Sequence, residues 1–502
     1  MIRNFASGFT NKLVISLFPF IIRTIMIQVL GTEYLGLNSL FTSILNVLSL
    51  SELGVGTAMV YEMYKPIAEG DKKRICALLN FYKKIYRIIG WVILCTGIVL
   101  LPFLNFLIEG DCPPEINIYV LYVIYLFNTV ITYWLFAYKT ALLRAHQRLD
   151  IINNVNSIVH TIAYVLQIVL LIITKNYYFY ILVLPVFTIV NNLIDAFYVK
   201  RMYPEYTESG ELSKDSKHII FARIKALFGH KLGGVLVNST DNIVISMSLG
   251  LTSVALYNNY YQIYSLIASI VDMIYTSSTA GVGNAIVLDS VNKNYKDFKK
   301  FSFYSMWLIM WCCCCLFCLY QDFMLIWMGE QYLFDLSTVI LLVISFYIKH
   351  IRKVVLTYKD AAGMWYADRL KPILEGVSNL IMNLFFVQYF GINGIILGTI
   401  LAMGVVGLPW ETNALFKGYF KEGLKSYYIH LFFDAMVSML VCIITFYFCR
   451  SINTNIYLQF IIKGIICAIF PNLVFIFIFR KRGETKELLK VVKALFVTSK
   501  SE

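Results

Sequence analysis

The sequence predicts an all-α polytopic membrane protein. About fourteen transmembrane helices are expected, as two six-helix lobes related by a parallel pseudo-two-fold repeat plus two extra C-terminal helices. Three observations carry this: the composition, the alternation of basic residues between apolar runs, and an internal repeat. Of 502 residues, 59% are hydrophobic and 15% charged, against about 25% charged in soluble chains. A soluble multidomain enzyme, a disordered chain and a disulfide-stapled secreted scaffold are excluded on that ground. An aromatic content of 16% suits a protein with interfacial belts.

The runs long enough to cross ~30 Å of hydrocarbon follow in order. The first six are at 12–30, 35–62, 78–104, 118–143, 152–174 and 177–199. The next six are at 227–249, 253–279, 301–320, 336–358, 372–390 and 393–415, and the last two at 428–448 and 456–479. The second and eighth exceed the hydrocarbon thickness and must tilt or protrude. Met1 to Lys12 is polar-amphipathic and leads into a full-length span without an A-x-A-like site, so no cleavable signal peptide is expected.

Placing the N-terminus in the cytoplasm puts 39 of the 43 basic residues on that side, in the chain ends, every second loop and the span ends that flank them. Only Lys175 and Arg450 fall in outer loops, while Arg23 and Lys463 lie inside spans. One span added or removed would scramble this alternation, so fourteen spans with both termini inside satisfy the positive-inside rule. The net charge of +13 then needs no nucleic acid, since anionic membrane lipids are sufficient partners for it. The expected organisation is an N-lobe at 1–199, a cytoplasmic linker at 200–226 and a C-lobe at 227–415. Spans thirteen and fourteen follow at 416–479, then a cytoplasmic tail at 480–502. In the tail, Glu484–Phe496 reads as an interfacial amphipathic helix.

The repeat shows as Lys12-Leu13 with Leu30-Gly31, matched at an offset of 219 by Lys231-Leu232 with Leu249-Gly250. Span eight carries Asn258, Gln262, Ser265, Ser269, Asp272, Thr276 and Thr279 at steps of four and three, one continuous stripe on a helix. Span two carries Asn38, Thr42, Ser49, Glu52 and Gly56 on the equivalent stripe, so Glu52 corresponds to Asp272. Span one presents Lys12, Ser16, Pro19 and Arg23 on one face; span seven carries Gly234, Asn238, Asp241 and Asn242. Polar stripes facing lipid are costly, so these four helices are expected to line a wet cavity. The competing reading is that the stripes hold helices together.

Arg23 lies eleven residues beyond Lys12, ~16 Å deep and near the bilayer midplane. An ionised side chain there costs at least ~2.5 kcal/mol and needs a counter-charge, water or an anionic ligand. Its planar fork matches phosphate oxygens; the alternative is a permanent ion pair with Asp241. Glu52, Asp241 and Asp272 are candidates for binding H⁺ or Na⁺, for pairing with Arg23 or Lys231, or for solvation through a cytoplasmic mouth. Tyr257, Tyr260, Tyr261 and Tyr264 in span eight read as an interfacial belt. Cys312–Cys315 and Cys318 read as small buried thiols, with no zinc-type spacing to histidines. Neither G-x-S-x-G, G-x-x-x-x-G-K-[ST] nor H-E-x-x-H occurs, so no catalytic residue, metal or organic cofactor is expected.

Further segments carry a family resemblance. They are Leu30-Gly31-x-x-Tyr34-Leu35-Gly36-Leu37-Asn38, Glu52-Leu53-Gly54 with Tyr64-Lys65-Pro66-Ile67-Ala68, and Arg144-Ala145-His146-Gln147-Arg148. Trp327-Met328-Gly329, Asp360-Ala361-Ala362-Gly363, Asp368-Arg369-Leu370-Lys371-Pro372 and Gly391-Ile392-Asn393-Gly394-Ile395 follow. In this order, over residues 10 to 415, the chain resembles the Wzx-type oligosaccharide flippases of the multidrug/oligosaccharidyl-lipid/polysaccharide exporter superfamily. The resemblance implies two lobes around a V-shaped cavity made mostly by helices one, two, seven and eight, with spans thirteen and fourteen outside the repeat. It implies a polyprenyl-diphosphate-linked oligosaccharide as substrate, turned across the bacterial cytoplasmic (inner) membrane for surface polysaccharide biosynthesis. A polysaccharide polymerase and glycosyltransferases are the protein partners such a role suggests.

The expectation is therefore alternating access. Arg23, Lys231, Asn38, Asn238, Asn242 and Gln262 bind substrate in the cavity, and Glu52, Asp241 and Asp272 couple or pair. Arg144, Arg148, Arg352 and Arg369 form the cytoplasmic mouth. The alternatives are a cation-coupled drug exporter, a peptidoglycan-precursor flippase, and a membrane glycosyltransferase or polymerase. The last would need a sizeable loop bearing catalytic acids, and the sequence has none.

Overall fold

The structure, a computed structural model, describes residues 2–487 apart from 53, 111, 365 and 366. It leaves out the side chains at 2, 5, 6, 9, 51, 226, 227, 230, 231 and 236–238. The described residues form helices and no strand. The expected amphipathic tail runs on past residue 487, outside the described residues.

The chain opens with α1 (Ile2–Val29), α2 (Thr32–Leu48), a 3₁₀ turn at Ser49–Glu52, and α3 (Val55–Glu69). It continues through α4 (Lys72–Leu100), α5 (Ile118–Trp134), α6 (Thr140–Ala145), α7 (Leu149–Thr174) and α8 (Tyr177–Met202). Beyond the linker come α9 (Lys214–Leu288), α10 (Val291–Trp327), α11 (Leu336–Ile351), α12 (Lys353–Ala361) and α13 (Lys371–Phe390). The last are α14 (Ile392–Leu401), α15 (Leu408–Leu415), α16 (Leu424–Arg450) and α17 (Ile456–Ile478). Short polar side chains start several of them by satisfying first-turn N–H groups. Asp71 accepts from Arg74 N at 3.0 Å, Asn117 from Tyr119 N at 3.0 Å, and Asn176 from Tyr178 N at 2.8 Å.

Ten stretches among the described residues are long and apolar enough to cross a membrane, or eleven if the pair bent by 45° between 118–134 and 137–145 counts as one. Other expected spans fall where helix is interrupted, at residues 32–69 and 336–361. Leu232–Leu288 counts once although it breaks at Gly250. That break joins the repeat to the backbone. Gly31 has φ 114° and ψ 173°; its repeat mate Gly250 has φ 78° and ψ 174°. This region is open essentially to glycine alone. Both copies therefore turn from one span into the next by the same device.

The chain divides into two compact units, Met1–Asn259 with Pro372–Ile392, and Tyr260–Lys371 with Asn393–Glu502. The expected lobe boundaries rest on the repeat, on which this grouping by proximity does not bear. In the first unit α7 packs along α1 and α8, and α4 along α5, over a core that includes Leu37, Phe41, Tyr122 and Leu142. Gly36 lets α2 approach the start of the second half of α9, since a Cβ there would meet Leu251 O at 2.2 Å. In the second unit α10 packs on α11, α16 and α17, around Phe298, Phe346, Phe416 and Phe475. Large apolar side chains also face outward, including Phe106, Ile173, Phe432 and Phe477. An exterior this apolar needs lipid around it.

Candidate functional site

The polar residues read from spans one, two and seven and the start of span eight fall within the first unit. There they form five hydrogen-bonded groups on an apolar background. Arg23, on α1, donates from Nη1 to Asn259 Oδ1 at 3.1 Å. It makes no ion pair among the described residues, so the permanent pair with Asp241 is not formed. An amide accepts one guanidinium N–H and leaves the charge uncompensated.

Asp241 is buried and engaged otherwise. Asn383 Nδ2 donates to its Oδ1 at 2.7 Å, and the Tyr257 hydroxyl to its Oδ2 at 3.2 Å. Beside it the Thr240 hydroxyl donates to Asn379 Oδ1 at 3.3 Å. Asn379 and Asn383 stand one turn apart on α13, a face that the sequence reading missed. Their i, i+4 spacing in an otherwise apolar span was the available signal.

Asn242 and Asn258 exchange amide hydrogen bonds, with Asn258 Nδ2 to Asn242 Oδ1 at 2.8 Å. Asn242 Nδ2 also reaches Ser43 Oγ on α2 at 2.9 Å. Asn38 accepts from the Tyr125 hydroxyl at 2.5 Å, and that hydroxyl lies 3.1 Å from Tyr177 Oη. Here part of the polar stripe holds helices together, as the competing reading had it.

Glu52 is held by tyrosines. Tyr86 donates to its Oε1 at 2.9 Å, Tyr133 to its Oε2 at 3.2 Å, and Tyr82 donates to Tyr86 at 2.6 Å. Glu52, Tyr82 and Tyr86 line a cavity of about 720 Å³ whose wall also includes Tyr61, Tyr64 and Arg144. The structure therefore brings one coupling candidate and one mouth candidate to the wall of the same cavity.

The remaining candidates scatter. Arg148 forks onto Asp150 through Nε at 3.0 Å and Nη2 at 3.2 Å. Arg369 is exposed. In the second unit, Asp272 pairs with Lys353 at 2.8 Å, and Gln262 forms no side-chain hydrogen bond among the described residues. Arg352 corrects its expected place at a solvated mouth. It is buried and grips Glu411 through Nε at 2.9 Å and Nη2 at 2.6 Å, with Lys371 on the same carboxylate. The side chains of Lys231 and Asn238 lie outside the described residues.

The tyrosine belt expected on span eight is also corrected. Tyr257, Tyr260 and Tyr264 are buried, and Tyr260 donates to Gln321 Oε1 at 2.7 Å. Interior partners claim these hydroxyls, so the rings serve packing and not a lipid–water boundary. A second cavity, of about 330 Å³, lies within the second unit and is lined in part by Tyr295, Lys299, Phe303, Tyr427, Asp434 and Arg482.

Residues 1–280 match the family described as polysaccharide biosynthesis protein. Comparison with curated proteins finds no match. Among solved structures, the chain is similar to the lipid II flippase MurJ in an inward closed conformation, with TM-score 0.68 and 14% identity over 96% of this chain and 99% of that one. It is also similar to an inward-facing multidrug resistance MATE family transporter of the MOP superfamily, with TM-score 0.62 and 15% identity over 81% and 96%. A mutant of the Vibrio cholerae MATE transporter VcmN aligns with TM-score 0.56 and 15% identity over 84% and 98%. At these identities the likeness establishes the fold that the chain shares with these transporters.

Proposed function

Because the chain belongs to the polysaccharide biosynthesis protein family, we propose that it is a flippase for polyprenyl-diphosphate-linked oligosaccharide repeat units. It crosses the bacterial cytoplasmic membrane fourteen times with both termini inside, and it works by alternating access between two repeated lobes. The observation that carries this reading is Arg23, a cation on a membrane-crossing helix whose partner among the described residues is an amide and not a carboxylate. A guanidinium so placed favours an anionic ligand, and its remaining donors match the oxygens of a diphosphate. Lys231 adds positive charge in this reading, and Asn38, Asn238, Asn242 and Gln262 supply hydrogen-bonding groups for sugar hydroxyls.

Arg144 and Glu52, in one cavity wall, serve as an entry charge and a protonatable partner. Arg148 and Arg369 remain candidates for a cytoplasmic mouth, each within its own unit. Asp241, with Asn383 and Tyr257 supplying neutral ligands, takes H⁺ or Na⁺. Asp272 pairs with Lys353 in this conformation and exchanges partners in another. No organic cofactor is required, and the chain moves its substrate without covalent chemistry.

One second reading has its own observation. The likeness to a lipid II flippase favours a peptidoglycan precursor, which shares the diphosphate and differs in its sugar–peptide head. A drug exporter of the same fold would take lipophilic cations, which Arg23 opposes. The test is transport in vesicles reconstituted with the purified chain. Labelled polyprenyl-diphosphate oligosaccharide should become accessible to a membrane-impermeant reagent faster than in empty vesicles. Transport of a lipophilic cation, with none of the diphosphate-linked glycan, would overturn the reading.

A further inference from the structure

Where α10, α16 and α17 pack, six cysteines converge. Cys314 Sγ lies 3.2 Å from Cys442 Sγ. Further along the same helices, Cys318, Cys449 and Cys467 bring their sulfurs within 4.8 Å of one another, with Cys449 and Cys467 4.0 Å apart. All three are buried free thiols, and Cys315 packs against them. A thiol can be buried simply as a small apolar side chain. That accounts for each cysteine singly and not for three sulfurs from three helices meeting at one point.

The spacing has a chemical reading. A cation bound to sulfur at about 2.3 Å, planar between three sulfurs, sets them about 4.0 Å apart, the separation seen between Cys449 and Cys467. Hard cations are disfavoured because the ligands are sulfur. The nearby carboxylate of Asp322 is already taken by Lys463 at 2.7 Å and by Gln459 at 3.2 Å.

We propose that Cys318, Cys449 and Cys467, with Cys315 beside them, form a site for one thiophilic d¹⁰ cation, Zn²⁺ or Cu⁺, that ties α16 and α17 to α10. In a low-dielectric setting the neutral complex is favoured. For Zn²⁺, two thiols lose protons to water and bind as thiolates while the third coordinates as a thiol, so binding releases two protons per ion. For Cu⁺, one thiolate and one proton suffice. The site is structural. It fixes the two helices that follow the repeat onto the helix bundle that precedes them.

The probe is Cd²⁺, added to the full chain in detergent after thiol reduction and removal of the reductant without air. A thiolate-to-metal charge-transfer band should grow and saturate at one equivalent, with a higher unfolding temperature. Competition by Zn²⁺ and by Cu⁺ then ranks the two natural ions. The triple variant C318A/C449A/C467A should lose affinity by at least about tenfold, while C95A/C112A should bind as the parent does. Both variants are first checked for a monodisperse elution profile. A single variant, C467A, keeps the comparison available if the triple one does not fold. A reduced parent chain that gives no band, or variants lacking Cys467 that give the same band, would overturn the proposal. So would isolation of Cys449 and Cys467 as a disulfide with no metal uptake after reduction.

Discussion

Arg23 and Asn259 meet across 236 positions of sequence, guanidinium to amide oxygen at 3.1 Å, and so bind α1 to the second half of α9. The amide Nδ2 of the same asparagine is buried and has no hydrogen-bond partner among the described residues. The pair positions the arginine without neutralising it. A cation held this way inside an apolar bundle is stable only with water or an anion at hand, and this is the ground on which Arg23 is proposed as a binding group.

Two substitutions separate charge from geometry at this position. Arg23→Gln should reduce translocation of diphosphate-linked glycan by about 10- to 100-fold, the scale of a charged hydrogen bond worth about 1.5–3 kcal/mol. Arg23→Lys keeps the charge and loses the fork, so its initial rate should fall between those of Arg23→Gln and the parent. Vesicle transport at fixed substrate density checks both.

Glu52 should matter for driving force more than for affinity. Glu52→Gln leaves the Tyr86 and Tyr133 hydroxyls a partner and removes the titrating group. Uphill transport under an imposed proton gradient should drop by about tenfold, the scale of a typical coupling free energy. Exchange without a gradient should continue at close to the parent rate. Measuring the two modes side by side distinguishes coupling from general damage.

The Arg352–Glu411–Lys371 cluster is a stability element. Glu411→Gln removes the carboxylate shared by two buried cations, and breaking such a pair costs about 3–5 kcal/mol. A markedly lower unfolding temperature in detergent is expected, with glycan transport by the surviving folded fraction little changed per molecule.

Glu208, in the linker after α8, gives a pH signature. Burial pushes its carboxyl up, but the Tyr138 hydroxyl at 2.8 Å and the Lys139 ammonium at 3.0 Å outweigh burial and hold it below the ordinary value. A carboxyl lowered in the folded state contributes stability that is complete above its unfolded value of about 4.3. That contribution fades as pH falls through the lowered folded value. Thermal unfolding of the parent and of Glu208→Gln should therefore converge in acid and diverge toward neutral pH, the parent being more stable there.

The repeat is testable through its turns. Gly250→Ala forces a side chain into a backbone region reserved for glycine. Gly36→Val would drive a branched side chain into the Leu251 carbonyl. Each should lower the yield of folded protein, and a matched Gly70→Asn change at an ordinary αL turn should not.

The helical plan was legible because membrane-crossing length, basic asymmetry and the Lys–Leu…Leu–Gly repeat are local or periodic signals. Gly31 and Gly250 could be matched by eye, and the structure gives them one conformation. Asn38, Asn242 and Asn258 were visible on polar helix faces, but a face does not record what it touches, so the Asn242–Asn258 and Asn38–Tyr125 bonds were open. Arg352 was read as a mouth residue because an arginine at a span end looks the same in sequence whether solvent or Glu411, 59 positions away, receives it. Tyr260 and Tyr264 failed for a related reason, since aromatic girdles and buried tyrosines share a composition. The convergence of Cys318, Cys449 and Cys467 depends on how three helices pack, which no spacing within one helix reports.

The most direct measurement is transbilayer movement of labelled polyprenyl-diphosphate oligosaccharide in vesicles bearing the parent chain or Arg23→Ala, at matched amounts of folded protein. The account predicts rapid movement with the parent and a rate close to that of empty vesicles with the variant. Equal rates for parent and variant would contradict it.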